Sequence, residues 1–140
     1  MPSIFTRILR GEAPASIVHR DTAVAAFLDI APLSEGHCLV VPLQETAHLA
    51  DLPPQTLDRL TAVAQKVGSA LRAADPTITG LNWLLCDGKD AGQEVFHTHL
   101  HVIPRRAGDG LRLGGRPQKT SRADLDAWAE RITRKFSECP

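Results

Sequence analysis

The sequence predicts an α+β domain, because segments with the two-residue periodicity of strands are interspersed with segments of helical periodicity. Five short runs carry β-branched or aromatic residues and are bounded by glycine, proline or aspartate. A longer segment repeats its apolar residues every three or four positions, as one face of a helix does. At 140 residues the chain is long enough for a single domain with a substantial core.

Composition and charge exclude several classes of protein. Hydrophobic residues make up 43% of the chain and the formal net charge is +0, which gives no electrostatic reason to expect nucleic-acid or membrane partners. No apolar run approaches the roughly 18 residues that span a bilayer, and the N-terminus lacks a signal-peptide core, so we expect a cytoplasmic protein. The three cysteines are widely spaced and predict neither a disulfide framework nor a cysteine zinc site.

The first third of the chain predicts a short helix followed by three strands. Ser3 is a good N-cap for a helix over residues 3–10, which Gly11 and Pro14 would end. Strand patterns follow, the first two joined by a hairpin-like connection, at residues 16–20, 23–29 and 37–42.

The rest of the chain predicts two further helices and two further strands. An amphipathic helix covers residues 54–74 and is closed by Pro76. Strands are predicted at 80–86, where we interpret Trp83 as packing, and at 94–104. Ser121 can cap a last helix that runs to about residue 136. We interpret its apolar stripe as packing against the rest of the chain: Leu125, Trp128, Ile132 and Phe136.

Three histidines at two-residue spacing are the most unusual feature of the sequence. In a strand, His97, His99 and His101 would share one face. The apolar back of that strand would comprise Phe96, Thr98, Leu100 and Val102. Pro104, which has no N–H for a sheet ladder, would close the strand.

Three interpretations of this pattern are open from the residues alone. An exposed strand with polar alternation would explain one histidine more easily than three. A metal site could use two of the imidazoles with Glu94 or the third imidazole, although one flat strand does not easily surround a tetrahedral ion. The third interpretation is nucleophilic catalysis on phosphorus, since a neutral imidazole can attack through one ring nitrogen while the other nitrogen is held as a donor.

The segment around these histidines resembles the signature of the histidine-triad (HIT) nucleotide-binding family. It reads Gly-Gln-Glu-Val-Phe-His-Thr-His-Leu-His-Val-Ile-Pro-Arg over residues 92–105. Residues 4–14 resemble the opening helix and turn of the family, and 26–32 and 36–42 resemble its second and third strands. These blocks occur in the family's order and cover about residues 3–105.

The resemblance implies a fold and a division of the chain. It implies a five-stranded, mainly antiparallel sheet with helices on one face, and a homodimer in which the sheet extends to ten strands. Residues 1–140 would form one HIT-like domain. Its core would lie at about 3–105, followed by a basic glycine-rich segment at 105–120 and an added helix at 121–137.

The resemblance also implies a function, namely the hydrolysis of purine nucleoside 5′-phosphoramidates or related conjugates at the α-phosphorus. His99 would form a nucleotidyl-histidine, and the main-chain carbonyl of His97 would hold its other ring nitrogen. The side chains of His97, His37 and His101 would support the phosphate. A dinucleoside polyphosphate hydrolase and a non-catalytic nucleotide sensor are the alternatives. No cofactor is implied.

Nucleotide-binding residues are implied by the same match. Phe5, Ile8, Phe27 and Ile30 would surround the base, and Asp29 would accept hydrogen bonds from the ribose hydroxyls. The loop before the histidines would help cradle the phosphate, since its glycines let main-chain N–H groups approach an anion closely, and would lie beside the leaving group. It contributes Cys86, Gly92, Gln93 and Glu94.

The sequence departs from the family pattern at several positions. Some bacterial members bind zinc through two cysteines, a histidine and the first triad histidine, but Ser3, Thr6 and Glu45 occupy the first three positions here. We therefore predict no metal. Cys86 replaces an asparagine that contacts the sugar-phosphate in many members. Glu94 stands where some members have a serine or threonine near the leaving group.

Overall fold

The computed structural model of the protein describes residues 1–136 and 138–139. The strands are Ile17–Arg20 (β1), Val24–Leu28 (β2), Cys38–Pro42 (β3), Ile78–Leu85 (β4) and Leu100–Arg106 (β5). The helices are Ile4–Leu9 (α1), Pro54–Ala74 (α2) and Arg122–Phe136 (α3). Position 137, where we expected the last helix to end, lies outside the described residues. None of the described helices is long and apolar enough to cross a membrane.

The five strands form one sheet in the order β1-β2-β3-β5-β4. Every strand pair is antiparallel in the part of the chain that the structure describes. The predicted α+β fold is confirmed. The crossover through α2 places β5 between β3 and β4, with His101 opposite Leu39 of β3. As a result, histidines from distant parts of the sequence lie side by side.

Both faces of the sheet are covered, which corrects the expectation that the helices lie on one face. On one face α2 packs Leu60 and Val63 against residues such as Val40. On the other face α1 packs Phe5 against residues such as Phe27. The reason is visible in β2 and β3, which are apolar at consecutive positions and therefore need cover on both sides.

The cap of α1 is formed as the sequence predicts. The Ser3 Oγ accepts a hydrogen bond from the Thr6 N–H at 3.0 Å. The helix ends before Gly11, which has a φ of +75°. This fixes α1 so that Phe5 points toward the sheet, where its ring packs edge-on to that of Phe27.

The strand that carries the histidines begins later and ends later than predicted. Residues 95–99 lie outside β5, where Thr98 donates its N–H to the Thr46 carbonyl at 2.7 Å and Phe96 is half-exposed. The strand also continues through Pro104, whose carbonyl accepts from the Ser34 hydroxyl at 2.6 Å. In an antiparallel strand the N–H and the C=O of one residue point to the same side. The Pro104 carbonyl points to the β3 side of β5, and the pairing of β5 with β3 has already ended at Val102. The proline therefore removes no ladder bond.

The apolar stripe of α3 is not packed against the rest of the chain, contrary to our interpretation. All four of its large apolar side chains are exposed: Leu125, Trp128, Ile132 and Phe136. The guanidinium of Arg131 lies 3.8 Å from the Trp128 ring centroid, so this contact is made within the helix itself. Helical periodicity predicts such a stripe but not what covers it.

Candidate active site

A cavity of about 1010 Å³ opens between α1, the ends of β2 and β3, and the loop that precedes β5. Three histidines line it: His37, His99 and His101. Eight of the predicted nucleotide-binding residues also line it: Phe5, Ile8, Phe27, Asp29, Ile30, Cys86, Gly92 and Glu94. Its volume suits a ligand of nucleotide size.

The ring of His99 is held in one tautomer. Its Nδ1 lies 2.7 Å from the main-chain oxygen of His97. A carbonyl oxygen can only accept, so Nδ1 carries the proton and Nε2 keeps its lone pair. The Phe5 ring packs edge-on against this imidazole at a centroid distance of 5.0 Å and restricts its orientation. His99 is therefore held in one orientation on the wall of the cavity.

His37 and His101 form a hydrogen-bonded chain. The Leu33 N–H donates to His37 Nδ1 at 3.0 Å, so the proton of His37 is on Nε2. That nitrogen lies 2.9 Å from His101 Nδ1, to which it donates. The proton of His101 is in turn placed on its Nε2. The chain thus supplies a neutral N–H donor from a residue that lines the cavity.

Burial keeps these two imidazoles uncharged. It lowers the pKa of His37, against the opposing effect of the Asp29 carboxylate. Burial, with further contributions from His99 and His37, lowers the pKa of His101 to about 4. At neutral pH both rings are neutral, and an anion in the cavity would meet hydrogen-bond donors without a fixed cation.

The ring of His97 points away from the cavity, so the prediction that this side chain supports the phosphate is wrong. Its Nε2 lies 2.8 Å from the Pro42 carbonyl and its Nδ1 lies 2.9 Å from the Ser3 hydroxyl. The ring is fully buried, and burial lowers its pKa. The cause is the position of residues 95–99 outside β5, where the alternation of strand faces does not apply.

Asp29 lies at the end of β2, where its main chain is fixed by a bond from its N–H to the His37 carbonyl at 2.9 Å. One carboxylate oxygen accepts from the Ala31 N–H at 2.9 Å. The other lies 3.5 Å from His37 Nε2. Next to it, Ile30 is 98% exposed, although it is a large apolar side chain at the edge of the cavity.

The loop before β5 is held internally, which corrects two expectations. Gln93 does not line the cavity; its amide accepts from the Gly88 N–H at 2.7 Å and donates to the Ala47 carbonyl at 2.8 Å. The N–H groups of Ala91, Gly92 and Gln93 all donate to carbonyls of the same turn. These three main-chain donors are therefore not available to cradle a phosphate.

Charges around the cavity are unevenly distributed. Asp29 and Glu94 line it, whereas no lysine or arginine does so in the described part of the chain. The arginines at the start of the basic segment are paired elsewhere, Arg105 with Asp109 at 2.8 Å and Arg106 with Asp75 at 2.9 Å.

Asp29, His37 and His101 offer three ligand atoms that lie within 4.8 Å of one another. However, the Leu33 N–H requires a lone pair on His37 Nδ1. If His37 bound a metal through Nε2, its proton would move to Nδ1, where it would face the Leu33 N–H and break that hydrogen bond. The arrangement fits a chain of hydrogen bonds better than a metal site.

Comparison with protein families identifies the chain. A family model described as the HIT domain matches residues 10–108. The chain belongs to the HIT family. An uncharacterized HIT-like protein of Mycobacterium tuberculosis is 45% identical over 116 residues, 81% of this chain and 78% of that protein. An adenosine 5′-monophosphoramidase of Saccharomyces cerevisiae is 36% identical over 118 residues, 84% of this chain and 72% of that enzyme.

Solved structures show the same fold in this family. A HIT family protein from Bacillus subtilis superposes with a TM-score of 0.88 at 30% identity, covering 96% of this HIT chain and 97% of the other. A zinc-bound histidine triad family protein from Mycobacterium smegmatis has a TM-score of 0.75 at 38% identity, covering 91% of this chain and 96% of the other.

The residues of this HIT protein do not fit a zinc site at the positions that the family resemblance implies. Two of the four side chains there, Ser3 and Thr6, carry hydroxyls, which are not among the usual zinc ligands. The Thr6 hydroxyl and the Ser3 N–H both donate to the Glu45 carboxylate, so that oxygen is already occupied by hydrogen bonds. The absence of a metal stays a prediction.

Sequence reasoning missed the residues that orient the histidines. The Leu33 N–H sets the tautomer of His37, and Ser3 contacts His97 across 94 positions of sequence. The capping pattern marked Ser3 as a helix start but gave no sign of this second contact.

Proposed function

We propose that this HIT protein hydrolyses purine nucleoside 5′-phosphoramidates, or closely related conjugates, at the α-phosphorus. The observation that carries the proposal is the bond from His99 Nδ1–H to the His97 carbonyl, 2.7 Å long, which leaves an unprotonated Nε2 on a residue lining the cavity. The name of the yeast relative, an adenosine 5′-monophosphoramidase, supports the same class of reaction.

The reaction takes two displacements at phosphorus. His99 Nε2 attacks and forms a P–N bond, while the leaving amine departs with the electron pair of its own P–N bond and takes up a proton from solvent, which the attacking water of the second step returns. The nucleotidylated ring is cationic, and the His97 carbonyl stabilises it through Nδ1–H. Water then attacks phosphorus, breaks the bond to Nε2 and releases the nucleoside monophosphate. Two inversions retain the configuration at phosphorus.

The remaining cavity residues bind the nucleotide in this proposal. Phe5, Ile8, Phe27 and Ile30 enclose the base with apolar surface, and the carboxylate of Asp29 accepts from vicinal ribose hydroxyls. His101, supported by His37, donates its Nε2–H to the phosphate. Cys86, Gly92 and Glu94 come from the loop between β4 and β5 and also line the cavity.

The charges of the cavity favour a phosphoramidate over a dinucleoside polyphosphate. Each additional phosphate adds negative charge beside Asp29 and Glu94, and no lysine or arginine of the described residues lines the cavity to offset it. Neutral donors from histidine can bind one phosphate without a fixed cation. A substrate with one charged phosphate and an amine leaving group therefore fits this cavity better.

The test is an assay of adenosine 5′-phosphoramidate and of a diadenosine polyphosphate with wild type and His99→Ala. We expect faster turnover of the phosphoramidate, and an acid-labile, base-stable nucleotide adduct that disappears in the variant. His48→Ala is the matched control, since His48 is exposed and contacts Asp87 instead of the cavity. Turnover that survives His99→Ala would refute the mechanism. Nucleotide binding without turnover would identify a sensor, and faster polyphosphate cleavage would reverse the substrate assignment.

We also propose that the protein is a homodimer and cytoplasmic, as the sequence suggests. β4 lies at one edge of the sheet, so its outer backbone groups are free to pair with a second copy and extend the sheet to ten strands. Exposed Trp83 and Leu84 lie on this strand. Sedimentation velocity of wild type and Leu84→Lys tests the pairing, and a monomeric wild type would refute it.

A further inference from the structure

A cluster of polar side chains lies behind the cavity, on the far side of His97 from the proposed reaction. It joins Ser3 and Thr6 of α1 and its cap, Glu45 after β3, and the buried ring of His97. We propose that Ser3 and Glu45 are positioning residues for the reaction at His99, and this inference rests on the proposed function. They act by holding His97 in one tautomer and one place, so that its carbonyl meets His99.

The contacts within the cluster are short and form a connected network. Ser3 Oγ lies 2.9 Å from His97 Nδ1 and 3.2 Å from Thr6 Oγ1. The Ser3 N–H donates to a Glu45 carboxylate oxygen at 3.0 Å, and the Thr6 hydroxyl donates to the same oxygen. Three segments that are far apart in the sequence are thereby tied to the ring of His97.

The direction of each hydrogen bond follows from the available protons. His97 Nε2 lies 2.8 Å from the Pro42 carbonyl and must donate to it, so Nδ1 of the neutral ring is an acceptor. The proton of the Thr6 hydroxyl is committed to the Glu45 carboxylate, which leaves the Thr6 oxygen as an acceptor. The single Ser3 hydroxyl proton then has two acceptors, Thr6 Oγ1 at 3.2 Å and His97 Nδ1 at 2.9 Å, and we assign it to the nearer Nδ1.

Glu45 makes this assignment stable. Its carboxylate can only accept when ionised, and the hydrogen bonds from Thr6 and Ser3 lower its pKa. The ionised group orients the Thr6 hydroxyl away from His97 and fixes the Ser3 main chain. The Ser3 Oγ is consequently held at donor distance from Nδ1.

The connection to the reaction is through one residue. The side chain of His97 is fixed at both nitrogens, and the main-chain oxygen of the same residue holds His99 Nδ1–H. Thr6 Oγ1 lies 3.4 Å from His97 Nδ1, but its proton goes to Glu45, so it does not replace the Ser3 donor. A ring nitrogen left without a donor in the interior is costly, and loss of the Ser3 hydroxyl would therefore shift the ring, its tautomer or its backbone. The proposed base and ribose contacts are made by other residues, so we expect the loss in kcat and not in KM.

Ser3 also caps α1, and the test separates the two roles. Ser3→Gly removes the hydroxyl but keeps a residue type that is favourable at an N-cap, with only a small loss of capping. Ser3→Thr retains both the hydroxyl and the cap. Glu45→Ala removes the acceptor, whereas Glu45→Gln retains an acceptor oxygen. Glu12→Ala is the control, because Glu12 is an exposed carboxylate just after α1.

We expect kcat for adenosine 5′-phosphoramidate to fall roughly tenfold in Ser3→Gly and in Glu45→Ala, the factor for about 1.4 kcal/mol in the barrier. KM should stay within about twofold, as a loss confined to the barrier predicts. Ser3→Thr should restore most of kcat, Glu45→Gln should lie between, and Glu12→Ala should match wild type. Wild-type kcat in both Ser3→Gly and Glu45→Ala, or a loss confined to KM, would overturn the proposal. The proposal would also be overturned if urea unfolding showed that the fraction of unfolded variant accounts for the whole loss of kcat.

A second readout is independent of turnover. Long-range ¹H–¹⁵N NMR without substrate should show His97 with an unprotonated Nδ1 in wild type, and a changed Nδ1 resonance in Ser3→Gly but not in Glu12→Ala. A protonated Nδ1 on His97 in wild type would refute the positioning cluster. Absence of turnover in wild type, with the expected NMR result, would instead refute the proposed function.

Discussion

The His99 ring donates its Nδ1–H to the main-chain oxygen of His97 across 2.7 Å. The two residues thus divide their roles, one offering a ring nitrogen to the cavity and the other a carbonyl that orients it. The ring of His97 lies in the interior, between the Pro42 carbonyl and the Ser3 hydroxyl.

The paired rings of His37 and His101 should behave as one unit. Because His37 donates to His101 across 2.9 Å, removing either ring disrupts the same donor chain. We expect His37→Ala and His101→Ala each to lower kcat/KM by at least tenfold, and the double variant to lose clearly less than the product of the two losses. Steady-state kinetics on the four proteins checks this. As a control, combining His101→Ala with the surface change His48→Ala should give losses that multiply. If the losses of His37→Ala and His101→Ala also multiply in the double variant, the two rings do not act as one unit.

Ile30 offers a test of nucleotide binding that does not disturb the fold. Its side chain is 98% exposed, so Ile30→Ala should leave the free energy of unfolding within about 0.5 kcal/mol of wild type. If the base packs on it, KM or Kd should rise several-fold, as expected for the loss of about 1 kcal/mol of apolar contact. The measurements are urea unfolding and titration with AMP. Ile132→Ala, an exposed isoleucine of α3, is the matched control and should not change the affinity. Equal affinities for the two variants would exclude Ile30 from the base site.

The stability of the protein should decrease as the pH falls below about 6.5. Burial lowers the pKa of His37 and His97, and lowers that of His101 to about 4. At a pH between the lowered pKa of each folded imidazole and the ordinary imidazole pKa near 6.5, the unfolded chain binds protons that the folded chain does not. The free energy of unfolding should therefore fall with pH by up to about 1.4 kcal/mol per pH unit for each such histidine.

Urea unfolding of wild type and His101→Gln between about pH 7 and pH 5 measures this effect, in a range chosen to lie above the ordinary pKa of carboxylates. The variant lacks one of the three imidazoles, so its stability should depend less steeply on pH. Identical slopes for the two proteins would show that His101 takes up its proton equally in both states.

Gly36 is required by both conformation and space. It has a φ of +91°, and an added Cβ would lie 3.0 Å from the Leu71 Cδ2 and 3.3 Å from the Pro104 Cγ. We expect Gly36→Ala to lower the free energy of unfolding by about 2–4 kcal/mol, the sum of a left-handed alanine and an overpacked contact. Gly114→Ala is the control, since Gly114 has a φ of +101° with nothing within 4 Å of the added Cβ. It should cost about 1–2 kcal/mol. Equal losses of unfolding free energy in the two variants would show that the side chains around Gly36 move aside for the added Cβ without cost. Because His37 follows Gly36, activity should be measured on the folded variant as well.

Local patterns in the sequence determined much of the fold. The apolar repeat gave α2 its bounds, which agree with Pro54–Ala74, and Ser3 marked the cap of α1. Such features depend on backbone geometry over a few residues and can therefore be read along the chain. The spacing of the histidines predicted one shared face for His97, His99 and His101, and two of these three, His99 and His101, line the cavity together.

Only the tertiary structure decided which way each of these groups faces. Residues 95–99 leave the strand because Thr98 bonds to Thr46, and this turns the ring of His97 toward Ser3. The partners of His97 and His37 are set by contacts between segments up to 94 positions apart. The sequence by itself determined most of the elements, because periodicity is a local property, and the family resemblance indicated most of the side chains that line the cavity. Which nitrogen carries each proton depends on donors brought together by folding, which no local pattern specifies.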